Sequence, residues 1–144
     1  VIPFNTLPVL TRAKQPLNVL VAEDHPINMK LIALLLDQMG HTYAQAKHGE
    51  EAVQLFEQQR FDLVLMDVMM PVMDGMTALR HLRQAQGASR TDTPVIMVTA
   101  YAMSFDRQRF LDAGADGYVS KPIDAQALQA EIHRLLPQFV SAAA

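Results

Sequence analysis

The sequence predicts an α/β fold, a doubly wound, five-stranded parallel sheet with five helices, and three observations carry that prediction. Short apolar runs of strand length alternate five times with segments of helical periodicity. The runs are continuous rather than alternating, the pattern of strands covered on both faces. Three of them end on polar residues, Glu23-Asp24, Asp67 and Thr99, and Lys121 lies just beyond the fifth. Parallel strands share one carboxyl end, so these side chains are expected along one edge of the sheet, beside the crevice where the winding reverses.

Residues 1–16 carry Pro3, Pro8 and Pro16 without sustained periodicity and read as a linker. Leu17 to Ala22 is the first strand. Pro26 suits the first turn of a helix, where its missing N–H costs nothing. That helix is expected to bury Ile27, Leu31, Leu34 and Leu35 and to stop at Gly40. Tyr43 to Ala46 reads as a weak second strand, and after Gly49 a second helix carries Ala52, Val53, Leu55 and Phe56. Leu63 to Met66 is the central strand. It ends on Asp67, and Pro71 forbids its continuation inside a sheet.

Asp74-Gly75 begins a third helix with Met76, Leu79 and Leu82, and a polar loop from Gln84 to Thr93 follows. Pro94 to Val98 is the fourth strand. A helix from Ser104 to Ala113 stops at Gly114, and its thin apolar face makes it the helix expected to be held least firmly. Gly117 to Val119 is the fifth strand, closed by Ser120-Lys121-Pro122. Asp124 caps a last helix with Leu128, Ile132, Leu135 and Leu136 on one face. The domain so outlined covers residues 17–137, and 138–144 read as a flexible tail.

Composition narrows the function classes. A chain of 144 residues, half of them hydrophobic and 19% charged, suits one globular domain and is too apolar for disorder. A net charge of −3 gives no footprint for nucleic acid, so no direct nucleic-acid binding is expected. Cys is absent, which excludes disulfides and cysteinyl metal sites and fits a reducing compartment; the expected location is cytoplasmic. No apolar run approaches the roughly 20 residues that cross a bilayer, so no membrane insertion is expected. The opening residue, Val1 in place of Met, fits a fragment, a processed chain or simple trimming equally.

The gathered residues have a chemistry. Three carboxylates in one crevice repel one another unless a cation joins them. A hard divalent ion with oxygen ligands meets that need, and Mg²⁺ is favoured where a phosphoryl group and water complete the octahedron. Lys121 supplies a point charge for a phosphate oxygen, and Thr99 a hydroxyl. The expected site handles a phosphoryl group at Asp67.

Four short motifs stand in order at this edge: Val21-Ala22-Glu23-Asp24, Leu65-Met66-Asp67-Val68-Met69-Met70-Pro71-Val72-Met73-Asp74-Gly75, Val98-Thr99-Ala100 and Tyr118-Val119-Ser120-Lys121-Pro122. Together they resemble a receiver domain of the two-component response-regulator family, over about Leu17 to Pro137. The resemblance implies a flavodoxin-like strand order 2-1-3-4-5, which sets Asp24 beside Asp67. It implies that Asp67 accepts a phosphoryl group from the phosphohistidine of a histidine kinase or histidine phosphotransfer domain. Asp24 would ligate Mg²⁺ directly, Glu23 through water, and Met69 through its backbone carbonyl. Thr99 and Lys121 would sense and bind the phosphoryl group, and Tyr118 would be the aromatic switch. Glu at position 23 stands where the family commonly has Asp, a change bearing on metal geometry.

The same resemblance places Met69 and Tyr101 beside the line of approach of a hydrolytic water, which makes them candidates for setting the phosphoryl lifetime. It also implies a dimer through the fourth helix, fifth strand and fifth helix. His25-Pro26-Ile27-Asn28 resembles receivers of hybrid sensor histidine kinases more than stand-alone or effector-linked regulators. This chain would then be a phosphoacceptor with self-dephosphorylation rather than an enzyme, and its parent a histidine kinase.

Two other classes fit the sequence less well. A haloacid-dehalogenase-like phosphatase needs a second acid two residues after its nucleophile, where this chain has Met69. A flavin-binding module needs a Ser/Thr-rich phosphate loop after the first strand, where carboxylates would repel the flavin phosphate. The methionines at 69, 70, 73 and 76 read as packing residues, and His25, with no second His at ligand spacing, as a helix-start residue.

Overall fold

The computed structural model describes residues 15–86, 93–100 and 104–137. The first fourteen residues of the linker, residues 87–92, Tyr101 and the 138–144 tail lie outside the described residues. The elements alternate as the periodicity requires: β1 (Asn18–Ala22), α1 (Pro26–Met39), β2 (Thr42–Ala46), α2 (Gly49–Gln58), β3 (Leu63–Asp67), α3 (Gly75–Gln86), β4 (Val95–Thr99), α4 (Ser104–Asp112), β5 (Gly117–Ser120) and α5 (Ala125–Leu135). All four strand pairings are parallel, in the order β2-β1-β3-β4-β5.

Every residue of β3 and β4 is buried, because helices cover both faces of the sheet. Period-two alternation then divides the core. Val19, Val21, Leu63, Leu65, Ile96, Val98 and Val119 pack with α1 and α5. Leu20, Ala22, Val64, Met66, Val95 and Met97 pack with α2, α3 and Phe110 of α4.

Local chemistry sets the helix ends. Pro26 opens α1 behind the N-cap His25, and Gly40 closes it in the left-handed region at φ 84°. Asp124 caps α5 by accepting a 2.9 Å hydrogen bond from the Ala127 amide.

Two expectations are corrected. Helix α1 buries Met29, Ile32, Leu35, Leu36 and Met39, while Ile27 and Leu34 are 71% and 54% exposed. Apolar residues surround most of this helix, so periodicity alone does not select its inner face; the sheet does. Helix α3 extends to Gln86, three residues into the stretch expected to be loop, with the Arg83 guanidinium bonded to the carbonyls of Thr93 and Gly114. In α4, among the described side chains, Phe110 is buried whereas Arg107, Gln108, Arg109, Leu111 and Asp112 are exposed.

Candidate functional site

The register builds the site. Ala22 pairs with Met66, which brings Glu23, the next residue, level with Asp67; Asp24 stands one residue beyond. Asp67 pairs with Val98, so Thr99 lies one position further along β4, opposite Ser120. The Lys121 amide donates to the Thr99 carbonyl at 2.7 Å and fixes where the lysine leaves β5.

Glu23, Asp67 and Thr99 are buried, at 0%, 3% and 2% exposure, while Asp24 faces solvent. Lys121 Nζ lies 3.1 Å from Asp67 Oδ2 and 3.4 Å from Glu23 Oε2. The other Glu23 oxygen, Oε1, accepts from Asn28 Nδ2 and the His25 amide, both at 3.3 Å. Asp67 Oδ1 accepts from the Met69 amide at 3.2 Å. Behind the carboxylate, Gly75 donates to the Val68 carbonyl at 2.9 Å, and a β-carbon at 75 would collide with the Asp67 carbonyl oxygen. The start of α3 is thereby pressed against the end of β3.

Burial, and next the Asp67 carboxylate beside it, push the Glu23 carboxyl above its usual range, against the pull of Lys121 and Asn28. Its Oε2 is buried yet accepts no hydrogen bond from the described residues, since Lys121 approaches it only as a charge. Glu23, Asp24 and Asp67 each offer an oxygen, and these oxygens lie within 4.8 Å of one another. Three hard oxygen donors, with an orphaned Glu23 oxygen among these carboxylates, fit a divalent cation of the Mg²⁺ class.

The remaining sequence-predicted residues separate by position. Thr99 and Tyr118 share the α4 side of the sheet by strand alternation. Tyr118 is half-buried, its ring 6.5 Å from that of Phe110, with the Arg107 guanidinium 5.6 Å from the ring centre. Met69 is 68% exposed, which corrects its reading as a packing residue; Met76 is buried and Met70 and Met73 partly so. His25 is the N-cap of α1, as a helix-start residue should be. Asn28, noted in the sequence only as part of a longer motif, is a site residue through its bond to Glu23.

Sheets of this strand order hold their ligand where β1 and β3 meet. The groups there suit phosphoryl transfer onto a carboxylate, which is the work of a signalling switch. The chain belongs to the response regulator receiver domain family, whose model matches residues 19–133. It is a receiver domain of two-component phosphorelay signalling. It is 38% identical over 133 residues to BarA of Escherichia coli (strain K12), a signal transduction histidine-protein kinase, covering 92% of this chain and 14% of BarA. The chain thus spans a small part of the curated relatives it matches.

Two solved structures share the fold. The receiver domain of sensor histidine kinase PA1611 from Pseudomonas aeruginosa PAO1, with a magnesium ion in its active site cleft, has a TM-score of 0.76 at 33% identity. The match covers 85% of this chain and 99% of that one. The receiver domain of Ssk1 from Saccharomyces cerevisiae, in complex with the histidine phosphotransfer protein Ypd1, has a TM-score of 0.78 at 25% identity. That match covers 89% and 94% of the two chains.

Proposed function

We propose that Asp67 is the phosphoacceptor of this receiver and that Mg²⁺ is its cofactor. The observation that supports this most is the buried Asp67 carboxylate, paired with Lys121 at 3.1 Å and grouped with two further carboxylates within 4.8 Å. In this reading Asp67 Oδ attacks the phosphorus of a phosphohistidine, the N–P bond breaks, and the imidazole leaves with the electron pair. Mg²⁺, when bound, neutralises charge on the transferring oxygens. Asp24, Asp67, Glu23 and the Met69 backbone carbonyl would hold the ion. Lys121 and Thr99 receive the phosphoryl oxygens, and Thr99 and Tyr118 carry the response toward α4 and β5. The exposed Met69 side chain and Tyr101 limit the approach of water and so lengthen the phosphoryl lifetime.

The partner is a histidine kinase or a histidine phosphotransfer domain on the cytoplasmic side of the membrane. The parent is a hybrid sensor histidine kinase, with residues 17–137 as its receiver, 1–16 as linker and 138–144 as tail. The sequence likeness to BarA supports this parentage. Dimerisation would use α4, β5 and α5. Met69 in place of a second acid weighs against a haloacid-dehalogenase-like phosphatase. The test is to mix the chain and Mg²⁺ with a phosphorylated histidine phosphotransfer domain. Loss of label from the donor to this chain supports the reading; retention on the donor refutes it.

A further inference from the structure

The segment that follows the acceptor, Val68 to Asp74, is held in a strained shape. The Met73 amide donates to the Pro71 carbonyl at 2.7 Å, closing a three-residue turn around Val72 at φ 68°. A turn of this kind is rare, and a β-branched residue in the left-handed region is a genuine outlier. Such strain persists only where the surroundings over-determine it. One end of the segment is tied to its own strand and helix, because the Val68 carbonyl accepts from Gly75. The other support comes from a different element. Gly49, the first residue of α2, donates its amide to the Met73 carbonyl at 3.0 Å.

The start of α2 is built to make that contact. The first amides of a helix have no partner within it. The His48 side chain, through Nδ1, satisfies the Glu51 amide at 3.1 Å, which leaves the Gly49 amide to point at the acceptor loop. A β-carbon at 49 would collide with the Met73 carbonyl oxygen and press on Ala78 at 3.1 Å.

We propose that Gly49, through its amide and its lack of a side chain, is a positioning residue for the acceptor loop, so that α2 senses metal occupancy at the acidic site. The loop carries Met69, whose amide bonds Asp67. A shift at Met73 is transmitted along four residues to that bond. The inference rests on the metal reading proposed above and deepens it. By linkage, if the Gly49–Met73 bond favours metal binding, metal binding must strengthen that bond.

Calorimetric titration with Mg²⁺ and amide hydrogen exchange test this together. Gly49→Ala is expected to weaken Mg²⁺ binding about tenfold, as loss of a group supporting the metal's ligands does. Adding Val72→Gly, which lets the turn yield, should recover part of it. Gly114→Ala is the control for general destabilisation: it is strained at φ 107° but packs on Arg83, away from the loop, and should leave affinity unchanged. In the wild-type protein, Mg²⁺ should slow exchange at the Gly49 amide, a readout that does not depend on any variant folding. Equal affinity in Gly49→Ala, or Gly49 exchange indifferent to Mg²⁺, overturns the proposal. A wild-type protein that binds no Mg²⁺ overturns the metal reading, and the proposal falls with it.

Discussion

Lys121 Nζ stands 3.1 Å from Asp67 Oδ2, so the lysine is already paired with the carboxylate proposed as the acceptor. It also lies 3.4 Å from Glu23 Oε2, a second carboxylate competing for the same charge. On the proposed reading, an incoming phosphoryl oxygen meets a cation already held at the site and has only to compete with these carboxylates for it. Lys121→Met should slow phosphorylation from an acyl-phosphate donor about a hundredfold, the scale for losing one preorganised charge-stabilising donor. Stopped quantification of the phosphorylated protein by mass checks this, and an unchanged rate would contradict it.

Mg²⁺ should stabilise the unphosphorylated fold, because it joins carboxylates that otherwise repel and gives Glu23 Oε2 a partner. At about ten times its dissociation constant the ion adds about 1.4 kcal/mol, or about 4 °C in melting temperature for a domain of this size. Asp24→Ala removes an exposed carboxylate of the proposed metal site with no cost to the core and should abolish the shift. Thermal melts with and without the ion decide it.

His41 makes the fold pH-sensitive at the opposite end of the sheet. It is buried, and its Nδ1 accepts a 3.0 Å hydrogen bond from the Leu17 amide where β1 begins. Burial, and then the charge of His133, hold its pKa below the usual 6.5, against the pull of Asp62. Below that usual value the unfolded chain takes up a proton that the folded chain refuses. Stability is thus fully present above the unfolded pKa and is lost as pH falls toward the folded one, by at most about 1.4 kcal/mol per pH unit. His41→Asn keeps an acceptor for Leu17 without the titration. Urea melts from about pH 7.5 to about pH 5.5 should show a smaller loss in this variant than in the wild-type protein.

Phosphorylation should shift an existing equilibrium on the α4 side. Tyr118 of β5 is half-buried beside Phe110 and Arg107 of α4. Beryllofluoride, an acyl-phosphate mimic, should move amide NMR signals from Ser104 to Leu111 as well as those around Asp67. Changes confined to the acidic pocket would sink the switch assignment.

What the sequence made legible, and what it hid, follows from the range of each interaction. Continuous apolar runs and the Gly and Pro punctuation reported the ten elements. Asp67, Thr99 and Lys121 were readable because parallel strands must end on one edge. The inner face of α1 was not, since Ile27, Leu31, Ile32, Leu34, Leu35 and Leu36 surround the helix and only the neighbouring strands choose among them. The Glu23–Asn28 bond and the Gly49–Met73 contact left no local signature. The Gly49–Met73 contact depends on where two separate loops meet above the sheet, whereas the Glu23–Asn28 bond closes the short β1–α1 connection and depends on the turn taken there.

The most direct test of the account is the intact mass of the protein after incubation with Mg²⁺ and a small acyl-phosphate donor, for the wild-type chain and for Asp67→Asn. The account predicts a single phosphoryl adduct on the wild-type chain, none without Mg²⁺ and none on the variant. An adduct that persists on Asp67→Asn would contradict the assignment of Asp67 as the acceptor.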